Sequence, residues 1–157
     1  MHIIIMRHGD AEPLQYDDSS RELTKFGQQQ ALAAGLWLSK HYLGQNIEMG
    51  LASPYVRARQ TMETVSQKID VLQQDVSNDV TPEGNIWLTH DYIDYLLEEH
   101  KLTTSLLIVS HMPFVSYFLD ELTGVQHSLF FDTSSMVIVD YQPDTHSGKV
   151  LEVYHPL

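Results

Sequence analysis

The chain has 157 residues, of which 21 are acidic and 9 basic, giving a formal charge of −12 at pH 7. This acidic excess argues against nucleic acid or an anionic membrane surface as a partner, because phosphate backbones are bound mainly through clustered Lys and Arg. Cysteine is absent, which excludes disulfides and thiol catalysis and is typical of a reducing compartment. No apolar run approaches the ~18 residues of a membrane span, and a chain of 157 residues is most simply one domain. We therefore expect one cytoplasmic domain over residues 1–157.

Hydrophobic patterning predicts strands that alternate with helices along the chain. Short apolar runs are assigned to strands, and longer amphipathic or capped segments are assigned to helices. In chain order the predicted elements are a strand over 3–6, a loop over 16–20, a helix from Thr24 to residue 41, a strand over 49–52, a helix that starts at Ser53-Pro54, an irregular segment over 75–85, a helix over 87–100, a strand over 105–110, a helix opened by Met112-Pro113 and ending at residue 122, and strands over 135–141 and 150–154 around a turn at 146–148.

Capping residues support two of the helix starts. Thr24 has a side-chain oxygen that can accept a hydrogen bond from a free N–H of the first turn. Ser53 predicts an N-cap and Pro54 the first helical position, where a missing N–H costs nothing. The second of these helices would carry Arg57 in its first turn.

Alternating strands and helices predict an α/β fold, a three-layer αβα sandwich with a mostly parallel central sheet and helices on both faces. In such sheets, ligands bind beyond the carboxyl ends of the strands. Three predicted strands end at chemically active residues: the first at Arg7 and His8, the second shortly before Arg57, and the third at His111. These side chains should therefore converge on one crevice.

The convergent residues predict an anion pocket. Two histidines and two or three arginines beside helix N-termini favour a phosphate or sulfate-like anion. Gly9 follows His8 and would let the backbone approach such a ligand closely. The other histidines, among them His90 and His146, lack paired ligand spacing, so no metal site is expected.

At these residues the chain resembles the histidine phosphatase superfamily, also called phosphoglycerate mutase-like, with its Arg-His-Gly signature. The resemblance rests on four motifs in order: Ile5-Met6-Arg7-His8-Gly9, Leu23-Thr24 with Gly27, Ser53-Pro54 with Arg57-Ala58 and Gln60-Thr61, and Val109-Ser110-His111. Within the superfamily it is most similar to the small SixA-type protein histidine phosphatases. The phosphoglycerate mutase-like fold and phosphatase activity without metal or cofactor are what this resemblance implies.

The resemblance also implies residue roles. His8, neutral and held in one tautomer, would attack phosphorus and become a phosphohistidine. Arg7 and Arg57 would clamp the phosphoryl oxygens, and His111 would complete the pocket as an imidazolium. Arg21 either contacts the phosphate or is a surface arginine that bonds to Asp17 or Asp18.

No residue stands out as a general acid. Asp18, Asp79 and Glu83 are candidates, but none clearly matches an ester-cleaving pattern. A P–N bond needs less proton donation than an ester, so the expected substrate is a histidine-phosphorylated carrier or phosphotransfer domain. A small-molecule phosphomonoesterase and a non-catalytic module that binds phosphoproteins remain the alternatives.

Overall fold

The computed structural model describes residues 1–43 and 45–156. Its strands form one sheet. They are β1 His2–Arg7, β2 Ile47–Ala52, β3 Val71–Val76, β4 Ser105–Ser110, β5 Met136–Gln142 and β6 Ser147–Tyr154. Their order across the sheet is β3, β2, β4, β1, β5, β6, with β3, β2, β4 and β1 parallel and β5 and β6 joined antiparallel at one side.

Four α-helices cover the sheet. They are α1 Lys25–His41, α2 Val56–Val65, α3 Ile86–Glu99 and α4 Phe114–Thr123, with 3₁₀ turns at Asp18–Ser20, Asn78–Val80 and Pro143–Thr145. α1 starts as predicted, since the Thr24 side chain accepts a hydrogen bond from the Gly27 N–H.

The central strand β1 is buried on both faces, and its side chains alternate between two cores. Ile3 and Ile5 pack in a core with residues of α3 and α4. Ile4 and Met6 pack in the opposite core with residues of α1 and α2. The predicted three-layer α/β sandwich with a mostly parallel sheet is therefore confirmed.

The register of the sheet determines where the functional residues meet. β1 and β4 pair so that Arg7 lies opposite Ser110, and the His8 N–H donates to the Ser110 carbonyl at 3.0 Å. On the other side of β4, the Ser53 N–H donates to the Val109 carbonyl at 3.0 Å. The carboxyl ends of β1, β4 and β2 thus lie side by side.

Three predictions about the elements are wrong. The segment over 75–85 was predicted to be irregular, but residues 75 and 76 belong to the edge strand β3, Val71–Val76. Its mixed polar and apolar sequence did not reveal this strand, because most of its side chains are exposed. α2 begins at Val56 with Tyr55 at the N-cap position, so Ser53 does not cap it. The turn predicted at 146–148 lies earlier, and β6 starts at Ser147.

Among the described residues, none of the helices combines the length and apolar character needed to cross a membrane.

Candidate active site

His8 follows β1 and is 6% exposed. Its Nδ1 lies 2.7 Å from the carbonyl oxygen of Gly9, while Arg57 Nε–H donates to its Nε2 over 3.2 Å. A carbonyl can only accept and a guanidinium can only donate. Nδ1 therefore carries the proton, and Nε2 presents a lone pair.

The environment keeps His8 neutral. Burial lowers its pKa to about 4, and the charges of Arg57, Arg7 and Arg21 act in the same direction against the opposing effect of the Gly9 carbonyl. At neutral pH, His8 is thus a neutral imidazole whose Nε2 accepts a hydrogen bond from a cation.

Arg57 lies in the first turn of α2 and is 4% exposed. Its Nη1 donates to the main-chain oxygen of Asp18 at 2.6 Å, and its Nη2 donates to Asp18 Oδ2 at 3.1 Å. The ring of Tyr55 lies 5.0 Å from the guanidinium carbon. The arginine is therefore held on three sides, by Asp18, Tyr55 and His8.

His111 follows β4, with its ring 5.0 Å from the ring of His8. Its Nε2 lies 2.7 Å from Ser53 Oγ, and that hydroxyl accepts from the Tyr55 N–H at 3.2 Å, which leaves its own proton to donate to Nε2. Nδ1 is then the protonated nitrogen of His111.

The surroundings of His111 favour its neutral form, contrary to the expected imidazolium. Its pKa is lowered to about 2, mainly by burial. The charges of His8 and Arg57 act in the same direction and outweigh the carboxylate of Asp18, which raises the pKa. A second cation would be placed among arginines without a counter-charge.

Arg7 ends β1, and its Nη1 donates to the Phe131 carbonyl at 2.8 Å. Its guanidinium carbon lies 5.7 Å from the ring centre of the exposed Phe130. The Ser134 N–H donates to the carbonyls of both Arg7 and His8. The segment before β5 therefore fixes the chain end that carries Arg7 and His8.

Buried polar atoms without partners concentrate around this pocket. Over the described part of the chain these atoms are Arg7 Nε, His111 Nδ1 and Ser134 Oγ. Buried polar groups in folded proteins are nearly always hydrogen-bonded. Two unpaired nitrogens on residues flanking His8 are suited to an oxyanion.

Arg21 lies beyond Arg57, on the other side of Asp18. Its Nη1 donates to Asp18 Oδ1 at 2.9 Å, and its Nε donates to the Glu12 carbonyl at 2.6 Å. The structure shows the alternative in which Arg21 pairs with Asp18. Its predicted contact with phosphate stays a prediction.

The three candidate acids differ in position. Asp18 touches two arginines; burial tends to raise its pKa, but the hydrogen bonds and charges of Arg21 and Arg57 outweigh this and lower it. Asp79 and Glu83 are exposed, and the Asp79 carboxylate contacts Ser77 Oγ at 3.4 Å. The structure therefore brings only Asp18 to the arginines.

Sequence reasoning missed Thr61 and Ser53 as site residues. Thr61 Oγ accepts from the Gly9 N–H at 3.0 Å and donates to the Arg57 carbonyl at 2.7 Å. Its position one helical turn after Arg57 is a signal that could have identified it. Ser53 gave no such signal, because a serine before proline reads first as a helix cap.

Gly9 has a packing role that the sequence did not reveal, and its predicted close approach to a ligand stays a prediction. A Cβ at this position would lie 2.7 Å from the carbonyl oxygen of Gly27. The glycine is required because the start of α1 packs directly on the chain after β1.

A second cluster of ionisable groups lies between α3, α4 and the turn before β6. Potential ligand atoms of His90, Asp94 and His146 lie within 4.8 Å of one another. However, the two imidazole rings are stacked at 3.4 Å with 6° between their planes. A zinc ion about 2.1 Å from each nitrogen must lie near both ring planes, so this arrangement does not suit one ion.

Hydrogen bonds account for this second cluster. His90 bonds to Glu121 Oε2 at 2.6 Å and to the Tyr141 hydroxyl at 2.8 Å. The same hydroxyl donates to Asp94 Oδ1 at 2.5 Å, and His146 bonds to the other oxygen of Asp94. The cluster thus joins α3, α4 and β5 through polar contacts that are mostly half-buried.

Comparison with known proteins identifies the family. The model of the histidine phosphatase superfamily (branch 1) matches residues 3–80. The phosphohistidine phosphatase SixA homolog of Haemophilus influenzae is 36% identical over 137 residues, which cover 83% of this chain and 82% of that protein. Phosphohistidine phosphatase SixA of Escherichia coli is 34% identical over 142 residues, or 88% and 84% of the two chains.

A solved structure supports the same assignment. The protein histidine phosphatase SixA complexed with tungstate has a TM-score of 0.91 and 32% sequence identity, with 99% of this chain and 97% of that chain covered. The family predicted from the four motifs is confirmed. This chain belongs to the histidine phosphatase superfamily and is a SixA-like phosphatase within it.

Proposed function

We propose that the protein removes phosphate from a histidine-phosphorylated carrier protein through a covalent phosphohistidine on His8. The observation that carries this proposal is the tautomer of His8, whose Nδ1–H bonds to the Gly9 carbonyl while Nε2 faces Arg57. A neutral imidazole with a directed lone pair is ready for attack on phosphorus.

In the first step, His8 Nε2 forms a bond to phosphorus as the P–N bond of the substrate breaks. The electron pair of that bond stays on the departing imidazole, which leaves as a neutral group because its other ring nitrogen has already taken a proton from water. Arg7 and Arg57 bind the phosphoryl oxygens where negative charge is spread in the transition state. The unpaired Nδ1 of His111 and Nε of Arg7 supply further donors.

In the second step, water attacks the phosphoryl group on His8. The Nε2–P bond breaks, inorganic phosphate leaves, and His8 returns to its neutral form. The low pKa of His8 favours this return, because the released nitrogen does not retain a proton at neutral pH.

Two observations favour phosphohistidine over a small ester. Asp18, the candidate acid that reaches the arginines, is held ionised by them and so lacks a proton for an alkoxide. The chain between Arg57 and His111 is used by the rest of α2 and by β3, α3 and β4, which favours an open crevice that a folded partner can enter.

The decisive experiment compares substrates and tests the intermediate. We expect kcat/KM for one phosphohistidine carrier protein to exceed that for a sugar phosphate, and His8→Ala to abolish both activities with an unchanged Tm. During turnover, the wild type should carry acid-labile, base-stable phosphate on His8. A preference for the sugar phosphate would instead favour the phosphomonoesterase alternative. Tight binding without turnover would favour the non-catalytic module.

The remaining parts of the proposal concern context. A cytoplasmic setting accords with the lack of cysteine. Residues 1–157 are proposed to act as one domain. The charge of −12 accords with a protein partner rather than nucleic acid or a membrane surface. Arg7, Arg57 and His111 with His8 are the proposed catalytic and phosphate-binding residues. The predicted contact of Arg21 with phosphate is the alternative to its hold on Asp18.

A further inference from the structure

Asp18 connects two arginines through both oxygens of its carboxylate. Oδ2 accepts from Arg57 Nη2 at 3.1 Å, and Oδ1 accepts from Arg21 Nη1 at 2.9 Å. Its main-chain oxygen also accepts from Arg57 Nη1 at 2.6 Å. Arg21 is tied in turn to the Glu12 carbonyl. A continuous chain of contacts therefore runs from Glu12 through Arg21, Asp18 and Arg57 to His8.

These contacts leave Arg57 one orientation. A guanidinium is a planar fork with fixed donor directions. Asp18 occupies both terminal nitrogens, so the edge that carries Nε–H is turned toward His8 Nε2, 3.2 Å away. A phosphoryl group transferred to that nitrogen would meet this edge first.

We propose that Asp18 is a positioning residue, not a general acid: it holds Arg57 so that the Nε edge meets the phosphoryl group arriving at His8, and Arg21 acts by holding Asp18. This inference rests on the proposed use of His8 and Arg57 in phosphoryl transfer. In this role Asp18 helps to stabilise the charge on the phosphoryl oxygens through Arg57, and it does not donate a proton to the leaving group.

Leaving-group dependence separates the two roles. A general acid donates its proton to the departing group, so its loss slows poor leaving groups more than good ones. A residue that orients Arg57 acts on the phosphoryl oxygens, so its loss slows both equally. Phenyl phosphate and 4-nitrophenyl phosphate provide the comparison, since they differ only in the leaving phenol.

The test uses Asp18→Asn and Asp18→Ala, with Glu22→Gln as the control. Glu22 lies in the same segment and is exposed, and its carboxylate bonds to the Gln60 amide at 3.2 Å. Glu22→Gln therefore removes the same charge as Asp18→Asn without touching either arginine. The Asp18 side chain is itself 45% exposed, so both variants should retain the wild-type Tm within a few degrees.

We expect kcat/KM of both Asp18 variants to fall by about 10- to 100-fold, the usual cost of a misplaced catalytic group. The loss should be the same for the two aryl phosphates. Tungstate serves as a probe of the resting pocket, and its Kd is measured by calorimetry. We expect the Kd of each Asp18 variant to lie within about threefold of the wild-type value, because removal of a negative charge offsets the looser hold on Arg57. Glu22→Gln should match wild type in every measurement.

Several results would overturn the proposal. A larger loss for phenyl phosphate than for 4-nitrophenyl phosphate would make Asp18 the general acid. Activity equal to or above wild type would make it a bystander or an internal inhibitor. Loss of tungstate binding in a folded variant would show that Asp18 maintains the whole pocket rather than the orientation of Arg57.

A double-mutant cycle tests the part assigned to Arg21. If Arg21 acts only through Asp18, the single variant Arg21→Gln should have a lower kcat/KM than wild type. Added to Asp18→Asn, the same substitution should cause no further loss of kcat/KM. A further loss in the double variant would mean that Arg21 binds phosphate directly. Wild-type inactivity on the phosphohistidine carrier would refute the proposed function, yet the aryl phosphates would still test Asp18.

Discussion

Lowering the pH from 7.5 to 5.5 should leave the nucleophile almost fully active. With a pKa of about 4, about 97% of His8 is neutral at pH 5.5, whereas a histidine with the ordinary pKa of 6.5 would be only about 9% neutral. Burial and the charges of Arg57, Arg7 and Arg21 thus increase the neutral fraction of His8 about tenfold at that pH. The expected effect is large enough to measure at a single site.

Nitrogen-15 NMR of the imidazole rings measures this directly, with the His8 signals assigned from their absence in His8→Gln. We expect a titration midpoint near pH 4 and, above it, a protonated Nδ1 with a bare Nε2. A midpoint near 6.5, or the opposite tautomer, would refute the reasoning from burial and the Gly9 carbonyl. Direct titration is preferable to kcat/KM alone, because the phosphate of the substrate also titrates.

The same shift affects folding. The unfolded chain binds a proton at His8 below pH 6.5 while the folded chain does not, so the free energy of unfolding should fall as the pH drops from 6.5 toward 4. Between pH 7.5 and 5.5 the loss is roughly 1 kcal/mol per histidine whose pKa is lowered this far, and His111 shares the direction. His8→Gln should remove its own share of this pH dependence in urea unfolding.

Substitutions at three positions test other contacts. Arg57→Lys should lower kcat on the order of 10²-fold or more, because an ammonium cannot replace the planar fork; kinetics within a few-fold of wild type would place Arg57 outside the reaction. In urea titrations, Thr61→Val should lower the free energy of unfolding by about 1–3 kcal/mol, because it leaves the buried Gly9 N–H unpaired. Thr61→Ser keeps the hydroxyl and should lower the free energy of unfolding less. Gly9→Ala should lower the Tm and kcat together, since its Cβ would lie 2.7 Å from the Gly27 carbonyl; an unchanged Tm would contradict that packing.

The pattern of apolar runs was sufficient for the fold class. Residues 3–6 and 105–110 are long enough for strands, too short for helices and apolar on both faces, and they became the buried strands β1 and β4. Because parallel strands present their carboxyl ends at one edge, the meeting of His8, His111 and Arg57 followed from the order of the elements. The motif resemblance then supplied the family, which the similarity to SixA proteins confirms.

The edge strand β3 shows where pattern reasoning ended. A strand with one neighbour and exposed side chains has little hydrophobic constraint on its sequence, so residues 71–76 carried no clear signal. Ser53 shows the same limit for side chains. Local sequence assigned it to a helix start, while its actual hydrogen bond is to His111, 58 positions away.

By itself, the sequence determined which residues follow the strands β1, β2 and β4 at the site, because burial in a sheet or helix imposes a periodicity that neighbouring residues must satisfy. Only the tertiary structure decided the chemical state of those residues. The tautomer of His8, the neutral form of His111 and the link from Asp18 to Arg57 depend on dehydration and on partners brought within about 3 Å. Those partners come from different elements, and a local sequence pattern does not predict how close residues of different elements lie.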